Sequence, residues 1–276
     1  MLLDDQERRV IGYYHLRESA WGYRLLLRGT RHFGYYPHGR RAGMSMARAQ
    51  RLMEDRLGEA LALPPGALVL DAGCGEGHVA GHIARRFGLR IEGVDLLDVS
   101  IARARRSPTP GVNFRVGSYA RLPFADATFA GVYTMETLVH ATDHRQALAE
   151  FHRVLEPGGR LVLVEYSMPP QDELTDAQRR AFAAVNEGSG MYSFAEFTHG
   201  RFPEMLAEAG FDCVSTVDVM PNVVPMLRRL HDVCYLPYAV GRLFGRVLVN
   251  SMAGVEMYRL RHLIGYNIVV GTRRPL

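Results

Sequence analysis

The chain has 276 residues, an apolar fraction of 47% and a formal net charge of +4, which suits one large domain or one core with insertions. Its isoelectric point is near 9.1, yet the basic residues form no tract interleaved with aromatic residues. The composition therefore does not indicate a nucleic-acid-binding surface. The sequence lacks a run of about 18 apolar residues and an apolar N-terminal core, so we expect neither a membrane-spanning helix nor a targeting signal.

The cysteines are Cys74, Cys213 and Cys234, an odd number without the spacing of metal ligands. They predict neither a disulfide framework nor a metal site. A reducing, cytoplasmic compartment is the simpler interpretation.

Residues 1–60 precede the predicted core and are rich in aromatic side chains. Residues 44–63 are predicted to form a helix that ends before Pro64, Pro65 and Gly66. One hypothesis makes this N-terminal segment a lid over the site and one wall of an apolar pocket, and the other makes it an arm that simply packs on the core. The candidate pocket residues in it are Tyr14, Trp21, Phe33, Tyr35 and Tyr36.

The most informative pattern lies in residues 67–95. An apolar run over residues 67–72 suits a buried parallel strand, and residues 78–87 have helical periodicity. A second strand over residues 90–95 ends in Asp95, about where a ribose-binding carboxylate lies in a βαβ nucleotide site. The turn between the first strand and the helix contains Gly73, Gly75 and Gly77, which allow a sharp turn and close approach of a ligand.

The run Asp71-Ala72-Gly73-Cys74-Gly75 resembles the first motif of class I S-adenosylmethionine-dependent methyltransferases. The resemblance implies that the glycines make room for the methionine part of the cofactor and that Asp95 holds the ribose hydroxyls. The alternative is a tight βα turn without a ligand. The candidate cofactor-binding residues are Asp71, Gly73, Cys74, Gly75, Gly77, Asp95, Leu96, Ser118, Tyr119 and Met135.

A second block, residues 117–124, follows the third predicted strand and is similar to the family's G-D-A-x-x-L-P-F. Ser118 stands where the family commonly has an aspartate that accepts a hydrogen bond from the adenine amino group. A serine hydroxyl can accept the same bond, although without the charge.

Residues 135–141 follow the fourth predicted strand and resemble the E-A-T-x-H-A block of sterol C-methyltransferases. Glu136 and His140 are four residues apart, which places them on one side of a helical turn. They are the candidate catalytic residues, and Glu165, at the end of the fifth predicted strand, is a further candidate in the substrate pocket. The alternative for Glu136 is a surface acid or a structural hydrogen bond to the N-terminal arm.

The remaining pattern alternates helices and strands, interrupted by insertions at about 167–199 and 221–265. We predict a helix at 143–155, a strand at 160–166, a helix at 200–210 and strands at 211–220 and 266–272. The resemblance implies a Rossmann-like, doubly wound α/β sheet of seven strands, mostly parallel with the last strand antiparallel, plus helical lid insertions. We divide the chain into an N-terminal lid, 1–60, and a methyltransferase core, 61–276.

The second insertion contains Arg228 and Arg229, whose positive charges would be available to bind a diphosphate. The alternative is that they form the solvated edge of a packed helix. Mg²⁺ enters the prediction only if the acceptor is a diphosphate.

The resulting hypothesis is S-adenosylmethionine-dependent methyl transfer to a small, largely apolar acceptor. The preferred reaction is C-methylation of an alkene carbon of a prenyl diphosphate, terpenoid or sterol-like molecule through a carbocation. Its rivals are an O- or N-methyltransferase of a natural product and a non-catalytic cofactor-binding partner subunit. A homo-oligomer stays open.

Overall fold

A seven-stranded sheet organises the part of the chain described by this computed structural model, residues 30–37, 43–245 and 248–274. The strand order is β3-β2-β1-β4-β5-β7-β6, and β7 runs antiparallel to both β5 and β6 while the other pairs are parallel. The predicted fold class is confirmed. The strands are β1 (Leu68–Ala72), β2 (Arg90–Asp95), β3 (Val112–Val116), β4 (Phe129–Met135), β5 (Leu155–Ser167), β6 (Phe211–Asp218) and β7 (Gly265–Arg273).

Helices connect the strands and cover the sheet. Leu161, Val162 and Val164 in β5 are almost inaccessible to solvent, as expected for a central strand with both faces covered. The helices are α1 (Met46–Leu61), α2 (His78–Phe87), α3 (Asp98–Ala104), α4 (His144–Val154), α5 (Asp176–Ser189), α6 (Phe202–Glu208), α7 (Met220–Leu243) and α8 (Val249–Arg259).

Two element boundaries differ from the sequence prediction for local reasons. Asp143 lies before α4 as its N-cap, where its carboxylate accepts hydrogen bonds from the backbone of Arg145 and Gln146. The strand β6 ends at Asp218 and not at residue 220, because the Asp218 carboxylate accepts from the backbone N–H groups of Met220 and Tyr266. That side chain starts α7 and also holds the first residues of β7 beside it.

The helix α1 packs against the sheet and contributes to the same hydrophobic core. Met53, Leu57 and Leu61 along one face of it are fully buried, and α1 contacts α2, β5 and β7. A division at residue 60 assigns α1 to the lid and separates it from the sheet on which it packs. A chain that starts near residue 60 would lose this packing. The division of the chain at residue 60 stays a prediction.

Both predicted insertions are helical. The first contains α5, and the second contains α7 and α8, which pack against each other while α8 also packs on α5. These helices rise beyond the carboxyl ends of the parallel strands, where α/β sheets bind ligands. None of the helices described combines the length and the apolar character that crossing a bilayer requires.

Candidate functional site

A cavity of about 240 Å³ opens where β1, β2 and β4 end, beneath α5, α7 and α8. Its wall contains most of the residues that the sequence proposes for cofactor and catalysis. Apolar side chains, including Val185, Leu227 and Met257, form the part of the wall that lies on the insertion helices. The predicted site residues that line the cavity are Phe33, Gly73, Cys74, Gly75, Asp95, Leu96, Tyr119, Met135, Glu136 and His140.

The glycine turn forms one end of the cavity. Gly73 has φ 94°, and a Cβ atom there would lie 2.7 Å from the Thr137 side chain, so only glycine fits. Gly75 has φ 53°, and a Cβ there would meet no atom within 4 Å, so its backbone faces open space. A cofactor can therefore approach the main chain closely at this turn.

Asp95 braces the same turn. Its carboxylate accepts hydrogen bonds from the backbone N–H of Gly75 at 2.8 Å and of Leu97 at 2.9 Å. Burial raises the pKa of this carboxyl group, although both backbone donors favour the ionised form. Because each carboxylate oxygen has two lone pairs, Asp95 can still accept bonds from ribose hydroxyls. The turn and this acid together fit the cofactor that the motif implies.

Three predicted cofactor residues lie behind the cavity wall instead of in it. Asp71 is 3% exposed, and burial raises its carboxyl pKa to about 7. Gly77 begins α2 with φ 78°, where a Cβ would collide with the ring of Phe114 at 2.4 Å. Ser118 accepts from the backbone of Ala120 at 3.1 Å and so shapes a turn. These residues shape the site from behind its wall, and their cofactor-binding role stays a prediction.

Glu136 lies at the carboxyl end of β4 with its carboxylate against the cavity. Its Oε1 accepts from the Phe33 backbone N–H at 2.5 Å and from the Tyr266 hydroxyl at 2.6 Å, and its Oε2 accepts from the Tyr166 hydroxyl. Burial raises the pKa of Glu136, and the tyrosine donors oppose that shift. Its backbone adopts φ 55°, which is rare for a residue other than glycine. Such local strain is typical of functional positions.

His140 faces the same cavity from the helical turn Leu138–His140. Its Nδ1 donates to the Gly190 carbonyl at 2.9 Å, so Nε2 is the basic ring nitrogen. Burial lowers the His140 pKa to about 4, and the ring is therefore neutral near pH 7.

Glu165 lies underneath this turn and does not line the cavity. Its Oε1 accepts from the backbone N–H of Leu138 at 2.7 Å and of Thr137 at 3.0 Å, which caps the first turn after β4. Its Oε2 is buried without a hydrogen-bond partner among the described residues. Burial, together with the nearby Glu136, raises the Glu165 pKa to about 8. The structure does not bring Glu165 to the cavity wall, because β5 points this side chain into the protein, and its role in the substrate pocket stays a prediction.

Most of the proposed lid and arginine residues also lie away from the cavity. Tyr36 is fully buried, and Arg229 donates to its hydroxyl and to the Met44 carbonyl. Tyr35 stacks under Arg56 at 4.9 Å, and Arg228 is exposed on α7. Tyr14 and Trp21 lie outside the described residues, and of the three aromatic lid candidates within them, only Phe33 is found in the cavity wall.

Sequence reasoning missed several residues of the site. His32 lines the cavity next to Phe33, and Tyr166 and Tyr266 bind Glu136. Tyr166 directly follows Glu165 at the end of the fifth predicted strand. This position is a weak indication, readable from the sequence, that Tyr166 lies near the site. Tyr266 offers none, since its pairing with Glu136 depends on the antiparallel register of β5 and β7, in which Tyr166 lies opposite Tyr266.

The shifted pKa of Glu165 predicts a pH-dependent stability. Its folded-state pKa is about 8 against an ordinary 4.5, so the folded protein holds a proton that the unfolded chain releases. The free energy of unfolding should therefore fall as pH rises between these values. Glu165→Gln should make that fall shallower by on the order of 5 kcal/mol, because the amide never ionises.

Urea unfolding at several pH values measures this effect. Glu173→Gln, a change at an exposed glutamate, is the matched control and should follow the wild-type curve. Parallel curves for wild type and Glu165→Gln would contradict the prediction.

The geometry at Asp95 also predicts the affinity of the site for S-adenosylmethionine. Asp95→Ala should weaken binding about ten- to a hundredfold, the scale of a lost charged hydrogen bond of roughly 1.5–3 kcal/mol. Asp98→Ala removes an exposed acid from the first turn of α3 and should leave the affinity unchanged. Isothermal calorimetry measures the affinity of the wild type and of both variants for S-adenosylmethionine. An affinity of Asp95→Ala equal to that of Asp98→Ala and the wild type would rule out Asp95 as a ligand of the cofactor.

Comparison with known proteins identifies the family. The family described as "Methyltransferase domain" matches residues 70–163. The chain is 36% identical to the "S-adenosyl-L-methionine-dependent Diels-Alderase iccD" of Talaromyces variabilis, over 98% of this chain and 96% of that protein. It is 31% identical to a "Sterol 24-C-methyltransferase" of Eremothecium gossypii, over 81% of this chain and 60% of that protein.

A solved structure shows the same architecture over nearly the whole chain. The "[4+2]-Cyclase SpnF" aligns with a TM-score of 0.77 and 22% identity, covering 98% of this chain and 97% of that one. At 22% identity this likeness shows the fold alone, and the sequence matches show which family the chain belongs to. The chain is therefore an enzyme of the class I S-adenosylmethionine-dependent methyltransferase family, and its cofactor is S-adenosylmethionine.

Proposed function

We propose that this enzyme methylates an alkene carbon of a neutral, largely apolar acceptor such as a terpenoid or a sterol-like molecule. The observation that carries the proposal is the Glu136 carboxylate on the cavity wall, held by donors from Phe33, Tyr166 and Tyr266. A base and a set of aromatic rings thus lie together at the end of β4. An apolar wall on the other side suits a hydrocarbon acceptor.

S-adenosylmethionine supplies an electrophilic methyl group. The π electrons of the alkene form the new carbon–carbon bond, which leaves a positive charge on the neighbouring carbon. That cation then loses an adjacent proton to Glu136, and the electrons of the broken C–H bond restore a double bond. The chain's part is to orient the acceptor, exclude water and accept this proton.

The rings around Glu136 suit a transient cation. Phe33 lies with its centroid 6.0 Å from that of Tyr166 and 5.9 Å from that of Tyr266, and the Tyr166 and Tyr266 centroids are 5.4 Å apart. Aromatic faces attract a cation by about 0.5–2 kcal/mol each when water is excluded. The ionised Glu136 adds a full negative charge next to them.

The protonation states are consistent with these roles. Burial raises the pKa of Glu136, which makes it a stronger base than an exposed carboxylate once ionised. His140 is neutral, since its pKa is about 4, and its ring lines the same cavity as Glu136. We assign His140 an assisting role.

The two arginines that the sequence proposed for a diphosphate do not face the cavity, whose described wall contains one other arginine, Arg31. Arg228 is exposed, and Arg229 binds Tyr36 and Met44 instead of facing the cavity. The proposal therefore favours the neutral acceptors among those that the sequence suggested, and Mg²⁺ has no assigned role in it.

Replacing Glu136 tests the proposed base. Glu136→Gln keeps the shape of the side chain and removes its charge and basicity, so turnover should fall by about two orders of magnitude or more. Affinity for the cofactor should change little. Single-turnover kinetics with the acceptor, alongside calorimetry, gives both quantities, and Glu173→Gln is again the exposed control. Normal turnover of Glu136→Gln would remove Glu136 from the mechanism.

A second candidate is cyclisation of an apolar polyene without methyl transfer. Its support is the relative named a Diels-Alderase, which matches this chain over 98% of its length. In that case the same cavity would fold the acceptor into a reactive conformation, and the bound cofactor would complete the cavity wall. Methylation of oxygen or nitrogen is the further alternative within the family.

The two reactions respond differently to S-adenosylhomocysteine, which lacks the transferable methyl group. The proposed methylation should give a product one CH₂ heavier than the acceptor with S-adenosylmethionine, and no product with S-adenosylhomocysteine. Mass spectrometry over a panel of terpenoids, sterols, phenols and linear polyenes measures this. An isomer of the acceptor formed equally with either compound would establish the cyclase, and a methyl group on oxygen or nitrogen would overturn carbon methylation.

A further inference from the structure

Residues 30–36, which we call the strap, cross the cavity between α1 and α7. The backbone N–H of Tyr35 donates to the Ala49 carbonyl at 2.9 Å, and that of Tyr36 donates to the Asn222 carbonyl at 2.9 Å. A Cβ atom on Gly34 would lie 2.6 Å from the Cβ of Ala49, so the strap lies flat on α1. The strap is thus fixed to two helices, and it presents the Phe33 N–H to Glu136.

Within the strap, the His32 side chain is buried, with 3% of its surface exposed. Its Nε2 lies 3.2 Å from Oε1 of Glu54 in α1, and Glu54 is fully buried. Its backbone carbonyl accepts from the Gln50 side chain at 3.0 Å. His32 thus combines a buried side-chain contact to an acid with a position adjacent to Phe33.

The partners of His32 indicate that its ring carries a positive charge. Nδ1 lies 3.0 Å from the Phe33 carbonyl, which can only accept, and Nε2 faces the Glu54 carboxylate. Arg51 binds the other oxygen of Glu54, which favours the ionised acid. Both ring nitrogens of His32 are therefore donors, and this requires an imidazolium. Burial alone would lower the His32 pKa, but the hydrogen bond and charge of Glu54 raise it above its ordinary value.

His32 directly precedes Phe33, whose N–H binds Glu136, so the charge of His32 acts on Glu136. The groups that face Glu136 are His32 on the strap, Tyr166 and Glu165 on β5, and Tyr266 on β7. Of these, His32 is the cation, while Glu165 opposes ionisation of Glu136 when it is itself ionised. His32 in turn faces Glu54, Glu136 and His78.

We propose that the buried His32–Glu54 ion pair is a positioning element of the active site, which fixes the strap so that the Phe33 N–H and the His32 charge keep Glu136 ionised. Without the pair, Glu136 would lose a backbone donor and its neighbouring cation, and burial would then favour the protonated acid. A protonated Glu136 cannot accept a proton from the acceptor. This role rests on the proposed function of Glu136, whereas the ion pair itself can be tested separately.

Nuclear magnetic resonance of histidine-labelled protein with bound cofactor tests the ion pair without any turnover. The ring ¹⁵N shifts of His32 should report both nitrogens protonated at about pH 7.5, a unit above the ordinary histidine pKa. In Glu54→Gln the same ring should become neutral at that pH. His32→Gln, which lacks the signal, assigns it. A neutral His32 in the wild type would overturn the proposal.

The coupling to Glu136 is tested by titrating its carboxyl ¹³C shift and by the pH profile of kcat. In Glu54→Gln, Glu136 should titrate at a pH higher by about one unit or more, the usual effect of losing an opposite charge nearby. The acid limb of kcat should move by the same amount, while KM for the cofactor stays within about twofold. His32→Gln should show the same shift if Glu54→Gln is too unstable to measure.

The control is Glu59→Gln on the same helix, because Glu59 is exposed and pairs with Arg56 at the surface. In Glu59→Gln, the titration of the Glu136 carboxyl group and the pH profile of kcat should match those of the wild type. A Glu54→Gln protein with lower thermal stability but an unshifted Glu136 titration would show a purely structural role and overturn the coupling. If Glu136→Gln turns over normally, the proposed function fails, and the two magnetic resonance titrations still decide the present inference.

Discussion

The enclosure of the half-buried Glu136 carboxylate at the cavity wall is the constraint on which the rest of the site depends. A buried anion costs several kcal/mol unless donors replace the water it loses. Here the strap supplies the Phe33 N–H, β5 supplies the Tyr166 hydroxyl and β7 supplies the Tyr266 hydroxyl. The carboxylate therefore ties the N-terminal segment, the middle of the sheet and the last strand to one point.

A second acid, Glu165, is fully buried beneath Glu136 and has a different task. Glu165 uses one oxygen to bind the backbone N–H groups that follow β4, which sets the path of the turn carrying Glu136 and His140. Its pKa of about 8 means that it is mostly neutral near pH 7, so the two acids do not repel each other fully. These two neighbouring carboxyl groups thus differ in their hydrogen-bond donors and in their burial.

The cofactor end and the acceptor end of the cavity are formed by different parts of the chain. The turn at Gly73 and Gly75 and the acid Asp95 are backbone features of one βαβ unit, held in place by the parallel sheet. The opposite wall consists of side chains from α5, α7 and α8, which belong to the insertions. The cofactor site can thus stay constant while substitutions on these helices change the acceptor.

The sequence by itself determined the features that depend on local pattern. The alternation of strands and helices, the glycine turn followed by Asp95, and the spacing of Glu136 and His140 all lie within short stretches, so periodicity and motif reveal them. Tertiary structure alone decided which distant groups meet. Phe33 and Tyr266 lie 103 and 130 residues from Glu136 along the chain, and their contacts depend on strand register and on the path of the strap. It also placed Glu165 inside the protein and paired Arg229 with Tyr36, because burial and register, which no local pattern encodes, set the direction of each side chain.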